Sequence, residues 1–285
     1  MSTQCVMIIA GDRPARTRVA EWAACEALRR GLPLRVVHVA PPVDRGTPRH
    51  DVCRPASVTD HVADHVAAEL ADAYPRLRVD TTHLAATAGW EPRSLVRNVE
   101  TIVVGLAEES GAADPLPGPV VREVAAVAAC PVVFVPGGPG RARPAYRPAG
   151  ITVGVDARDP AAGAIDFAFG TARLREARLR VVHAWSLPPA AAELPFRVPE
   201  KDRATWEDQE VQLLSDVMRP WREKYPTVPV LEDVVLFPPA EALIRNPGNT
   251  ELVVVGRGHP AANGPSTTVD ALLRSTGCPV AVVPE

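Results

Sequence analysis

Two short segments recur in this chain in the same order and at nearly the same spacing, and that repetition limits the possible folds more than any other feature. Arg35-Val36-Val37-His38-Val39 returns 145 residues later as Arg180-Val181-Val182-His183-Ala184. Trp22 stands sixteen residues before His38, as Phe167 stands sixteen before His183. Each half then closes on a cysteine, a proline and a run of apolar residues: Cys130-Pro131-Val132-Val133-Phe134-Val135-Pro136 and Cys278-Pro279-Val280-Ala281-Val282-Val283-Pro284. Paired anchors in one order mark a tandem duplication. A chain of 285 residues leaves about 140 for each copy, an ordinary domain size.

Within each copy, short continuous apolar runs alternate with longer amphipathic stretches, the pattern of parallel strands joined by crossover helices. In the first half, residues 4–10 read as a buried strand and 15–30 as a helix with Val19, Trp22, Ala23 and Leu28 on its apolar side. Strands follow at 34–39, 77–84, 101–105 and 131–136, with helices over 56–74, 91–98 and from about 118. Residues 137–149, rich in Pro, Gly and Arg, suit neither regular element and read as a linker between domains at 1–136 and 150–285. The pattern then restarts: a strand from Ile151 to Asp156, a helix over 160–176, strands at 180–184, 228–237 and 250–256, helices near 201–224, 239–246 and from 266, and a last strand near 279–283.

Charge and cysteine use narrow the function. A net charge of −3 and a pI near 6.2 provide no basic field for nucleic acid, so no nucleic-acid partner is expected. Lys201 and Lys224 are the sole lysines and no Gly-Lys dipeptide occurs, which excludes a lysine-dependent phosphate loop. The five cysteines have no CxxC spacing and read as buried thiols of a reducing compartment. With no basic leader before Val6-Met7-Ile8-Ile9 and no apolar run of spanning length, a cytoplasmic protein with no membrane partner is expected.

The candidate ligand site is the stretch from Glu251 to Gly258, where an apolar run breaks at Gly256, followed by Ser266-Thr267-Thr268 opening a helix. Glycine-rich strand ends and helix N-termini present backbone N–H groups to phosphate, although the same residues also make a sound turn. Asp156, closing a buried strand, is either a pocket carboxylate or the cap of the following helix. No GxSxG elbow is present, so nucleophilic hydrolysis has no support and an enzyme is not expected.

The Arg-Val-Val-His strands, Val103-Val104-Gly105 with Val254-Val255-Gly256, the Cys-Pro endings and an Asp near the end of each first strand together resemble the universal stress protein family in its tandem two-domain form. The resemblance covers nearly the whole chain. It implies two doubly wound, five-stranded parallel α/β sheets of order 3-2-1-4-5, similar to the adenine nucleotide α-hydrolase architecture, with a ligand crevice between strands 1 and 4. It also implies a stress-response regulator that binds ATP or a related adenine nucleotide, with Mg as a companion of the nucleotide and no other metal. The family's nucleotide pattern is Gly, two residues, Gly, nine residues, Gly, then Ser or Thr. Mapped onto the second half, it matches Asp156, Ala184, Gly256 and Thr267, and with Gly258 and Ser266 as backbone donors these are the expected cofactor-binding residues. His259 and Ser266 stand where two pattern glycines are expected, and Gly256 to Cys278 spans 22 residues where Gly105 to Cys130 spans 25. The shortened loop keeps the Gly258 and Ser266-Thr267-Thr268 amides as donors for one or two phosphates.

The first half departs further: Gly11 precedes Asp12 at the strand 1 acid, Glu108 and Glu109 occupy the phosphate loop, and Pro119 follows Gly118. Carboxylates repel phosphate and proline removes a donor, so that half is expected to be degenerate. The alternative function is a nucleotide-free scaffold acting through protein–protein contact. Association of the halves as an intrachain pseudo-dimer through their last strands, and of two chains as a homodimer, completes the expectation. His61 and His65, beside Asp60 and Asp64 and near His50 and Cys53, read as a polar surface rather than a metal site. His38, His183, Trp185, Trp206 and Trp221 read as core or domain-interface residues.

Overall fold

The computed structural model of the chain describes residues 4–10, 18–40, 62–85, 92–106, 119–136, 150–188, 199–245, 250–258 and 267–285. The chain divides into two compact units, Met1–Ala142 and Arg143–Glu285. The segment expected to link two domains, 137–149, lies outside the described residues, as do Gly11, Asp12, Glu108, Glu109 and Gly118.

In the first unit the elements run β1 (Cys5–Ala10), α1 (Arg18–Arg30), β2 (Leu34–Ala40), α2 (Val62–Ala73), β3 (Val79–Ala85), α3 (Pro92–Leu95), β4 (Val99–Gly105), α4 (Pro119–Val127) and β5 (Val132–Val135). All pair in parallel in the order β3-β2-β1-β4-β5. The second unit repeats this with β6 (Gly150–Gly154), α5 (Ala162–Leu174), β7 (Leu179–Ala184), α6 (Glu200–Lys224), β8 (Val230–Val235), α7 (Pro239–Ile244), β9 (Thr250–Gly256), α8 (Thr267–Ser275) and β10 (Val280–Val283). Its order, β10-β9-β6-β7-β8, is the same arrangement, so each unit is a doubly wound α/β sheet.

Helices on both faces explain the strand composition. Ile102, Val103 and Val104 in β4, and Leu252, Val253 and Val254 in β9, are all almost wholly buried rather than alternately so. A strand covered on both sides needs apolar residues at every position. In α1 the buried stripe is Val19, Ala20, Ala23, Ala24 and Ala27, and Leu28, expected on it, is exposed. Nine residues beyond Val19 at about 100° each, Leu28 lies half a turn from Val19 and at the outer edge of the stripe, next to Ala24.

The same clamp holds both units at the amino ends of their strands. Buried Arg30, in the last turn of α1, donates from Nε to Glu26 at 2.7 Å and from Nη1 to Glu100 of β4 at 2.7 Å. Arg175, just past α5 and 3% exposed, donates from Nη1 to Glu251 of β9 at 2.7 Å. In both cases a helix end is tied to the start of the central strand it packs over. A buried cation is destabilising unless paired, and removing one partner strands the other. Arg30→Ala, which removes the 2.7 Å partner of the buried Glu26 carboxylate and leaves Arg29 at 3.9 Å from it, is expected to lower stability by about 3 kcal/mol in urea titration. Arg219→Ala, which breaks a pair with Asp216 between two exposed side chains, is expected to leave the midpoint unmoved.

Candidate functional site

In the second unit the strand order reverses between β6 and β9, which lie side by side in parallel. A doubly wound sheet leaves a crevice at such a switch point, beyond the carboxyl ends of the strands. A cavity of about 350 Å³ opens there. Its apolar wall is made by Val155 and Val255 at the strand ends, Ile165 of α5, Val182 of β7 and Leu243 of α7.

Four of the six residues expected to bind a cofactor meet on this cavity: Asp156, Ala184, Gly256 and Gly258 all line it. Ser266 lies outside the described residues. Thr267 is the exposed first residue of α8 and is not on the lining, whereas its neighbour Thr268 is. Asp156 stands two residues past the end of β6 rather than inside the strand, and it does not cap α5. The Arg158 N–H donates to Asp156 Oδ1 at 2.9 Å, closing a side-chain turn. The cap position of α5 belongs to Ala161, which makes no side-chain cap bond, so the amino end of α5 faces the cavity without a capping oxygen.

Close approaches shape this rim. A β-carbon on Gly256 would stand 2.7 Å from that of Ala161, so only glycine lets the end of β9 pass the start of α5. A β-carbon on Gly163 would meet the Pro284 carbonyl oxygen at 2.8 Å, and this contact brings the chain beyond β10, with Glu285, to the cavity. Gly258 has φ of 64°, in the left-handed region that glycine enters without strain. Arg257 between them donates its N–H to Val283 O at 2.7 Å, fastening the loop to β10.

Beneath the Asp156 turn lies a buried polar relay. His183, 1% exposed in β7, places Nε2 at 3.0 Å from Glu210 Oε2 of α6. Its Nδ1 lies 3.1 Å from the Val155 carbonyl oxygen, to which an Nδ1–H donates, and 3.4 Å from the Ala157 N–H, which a bare Nδ1 accepts, so in either tautomer the ring holds one side of the Asp156 turn. Arg158 forks onto the same carboxylate, with Nη1 donating to Oε2 at 2.8 Å and Nη2 to Oε1. His183 is thus a satisfied core histidine beside the site. Glu210 had no motif to announce it; the available signal was its place at i−4 from Leu214 and i−8 from Met218, on the buried stripe of α6.

A family model described as the universal stress protein family matches residues 1–136 and again 150–284. The chain belongs to the universal stress protein family. A universal stress protein of Mycobacterium tuberculosis, with its Mycobacterium bovis counterpart, is 28% identical over 265 residues, 85% of this chain and 82% of theirs. A second pair from the same two organisms is 28% identical over 275 residues, 92% of this chain and 90% of theirs. Among solved structures, a universal stress protein from Archaeoglobus fulgidus shares the fold with a TM-score of 0.62 at 14% identity, covering 99% of this chain and 97% of that one. A functionally unknown protein from Pseudomonas aeruginosa does so with a TM-score of 0.58 at 15% identity, over 99% and 93%.

The other constellations of this universal stress protein resolve into local pairs. His65 faces Glu69 at 3.4 Å on α2, and His83 faces Asp64 at 3.2 Å. His61, Asp60, His50 and Cys53 lie outside the described residues. Among the described residues no three His, Cys, Asp or Glu side chains gather as a metal site would, and no helix is long and apolar enough to cross a membrane. Trp185 is buried, and Trp221 stacks on Phe169 with ring centroids 6.4 Å apart. Burial pushes the Glu210 carboxyl up, but the hydrogen bonds from Arg158 and His183 outweigh it and hold it below the ordinary carboxylate range. A group lowered in this way contributes fully above its unfolded value, about 4.3, and loses that contribution as pH falls through the native value. In urea titrations the stability of the native protein is therefore expected to fall below about pH 5 more steeply than that of Glu210→Gln, which starts lower at neutral pH. Parallel pH profiles would show that the relay contributes nothing.

Proposed function

We propose that the second unit of this universal stress protein binds an adenine nucleotide in the cavity between β6 and β9, and that the chain works as a regulator through occupancy rather than turnover. One observation carries the reading: Asp156, Ala184, Gly256 and Gly258, separated by up to 102 positions in sequence, converge on one cavity at the switch point. The physical fit supports it. An apolar wall of valine, isoleucine and leucine suits the face of a purine, Asp156 is an acceptor for ribose hydroxyls or an exocyclic amine, and the uncapped end of α5 offers N–H donors to an anion. At about 350 Å³ the space is at the small end of ordinary ligand pockets.

The first unit is proposed to carry no nucleotide, on the strength of Glu108 and Glu109 after β4 in the sequence and of Pro119, which opens α4 without an N–H to donate. A nucleotide-free scaffold is the competing outcome. Thermal unfolding with and without AMP or ATP separates the two, since a ligand at 100 times its dissociation constant stabilises by about 2.7 kcal/mol. Stabilisation that disappears in Asp156→Ala and in Gly256→Val, whose side chain would collide with Ala161, is the expected result. A midpoint unmoved by every adenine nucleotide would leave the scaffold reading.

A further inference from the structure

The wall of the cavity carries charge of one sign. Asp156, Asp159 and Glu285 all line it, and no Lys, Arg or His stands among the described lining residues. Arg158, two residues past Asp156, is forked onto Glu210. Residues 259–266, outside the described residues, read His-Pro-Ala-Ala-Asn-Gly-Pro-Ser in sequence. Against three carboxylates the described lining residues set backbone dipoles. The amino ends of α5 and α8 each amount to roughly half a positive charge.

We infer that this site selects adenine nucleosides and their monoesters over the unchelated triphosphate, with Asp159 and Glu285 as the residues that set this preference. The inference rests on the adenine-nucleotide reading above and refines it to a charge class. A single phosphate, carrying one to two negative charges, is matched by two helix ends. A triphosphate brings about four, and the excess has to sit beside carboxylates on a wall whose described residues include no side-chain cation. Mg chelation removes two of those charges and narrows the penalty. The two carboxylates do not act alike on all ligands, because an uncharged nucleoside feels them only as hydrogen-bond acceptors.

Salt gives this a signature of unusual sign. Phosphate binding by a basic pocket weakens as ionic strength rises, because screening removes an attraction. Here screening removes a repulsion, so ATP binding is expected to tighten with added salt while adenosine binding stays level.

The test uses the full-length protein and isothermal titration with adenosine, AMP, ATP in EDTA, and ATP with Mg. Adenosine and AMP are expected to bind within about threefold of each other, and metal-free ATP at least tenfold more weakly, with Mg recovering part of the loss. Raising NaCl from low to moderate concentration is expected to improve the metal-free ATP constant. In Asp159→Asn/Glu285→Gln the AMP-to-ATP ratio of dissociation constants is expected to narrow by about tenfold. Metal-free ATP binding as tightly as AMP and weakening with salt would overturn the inference while leaving the adenine site intact. A ratio unchanged in the double variant would remove Asp159 and Glu285 from the role. If adenosine, AMP and ATP all fail to bind, the adenine-nucleotide reading itself fails, and this refinement with it.

Discussion

Coverage of a parallel sheet on both faces is the constraint from which the rest of each unit follows. Crossover helices on either side leave the central strands with no wet face, so β4 and β9 are apolar at nearly every inner position. Polar side chains inside the sheet must therefore find partners, as buried Thr152 does with Thr250 at 2.9 Å, and open polar chemistry gathers at the strand ends. At the reversal of strand order the helices part, and the carboxyl ends of β6 and β9 become the natural place for a cavity. The cavity is a by-product of topology before it is a site; the residues on its rim decide what it can hold.

A polar cluster lies directly beneath that rim. Buried His183 and Glu210 join the exposed Arg158 in a relay in which most polar atoms find partners, as buried polar groups must to avoid a desolvation cost. The relay joins three separate elements, β7, α6 and the turn after β6. It holds the backbone beside Asp156, so the position of a candidate ligand contact depends on a side chain from the longest helix among those described. Asp166 shows a simpler version elsewhere on α5: burial works against its charge, and hydrogen bonds from Lys224 and Tyr225 prevail.

Much of this was legible in the chain because duplicated strands state their pattern twice. Strand and helix types followed from apolar runs and helical periods, and the α/β class with them. Asp156, Ala184, Gly256 and Gly258 reach the cavity because each sits at or just past a strand end, where topology alone predicts the crevice. The lining was less legible where it arrives from distant elements. Leu243 of α7 and Glu285 beyond β10 join it through close packing, such as the Gly163–Pro284 approach, that no local pattern encodes. The choice among Ser266, Thr267 and Thr268 depends on where α8 begins, since each residue turns the side chain by about 100°. Three consecutive hydroxyl residues carry no mark of that phase. Asp159 and Glu210 were missed for a related reason: an acid in an acidic neighbourhood looks like solvated surface until its neighbours are known.

The paired clamps of Arg30 on Glu100 and Arg175 on Glu251 carry a consequence for how such a chain diversifies. Both copies anchor themselves at the starts of their strands, some 20 Å of extended chain away from the opposite ends where loops differ in length and charge. Copying errors in those loops therefore leave the anchors untouched. One copy is free to drift in what it recognises while its framework remains intact, which is how a duplicated unit becomes a pair of unlike ones.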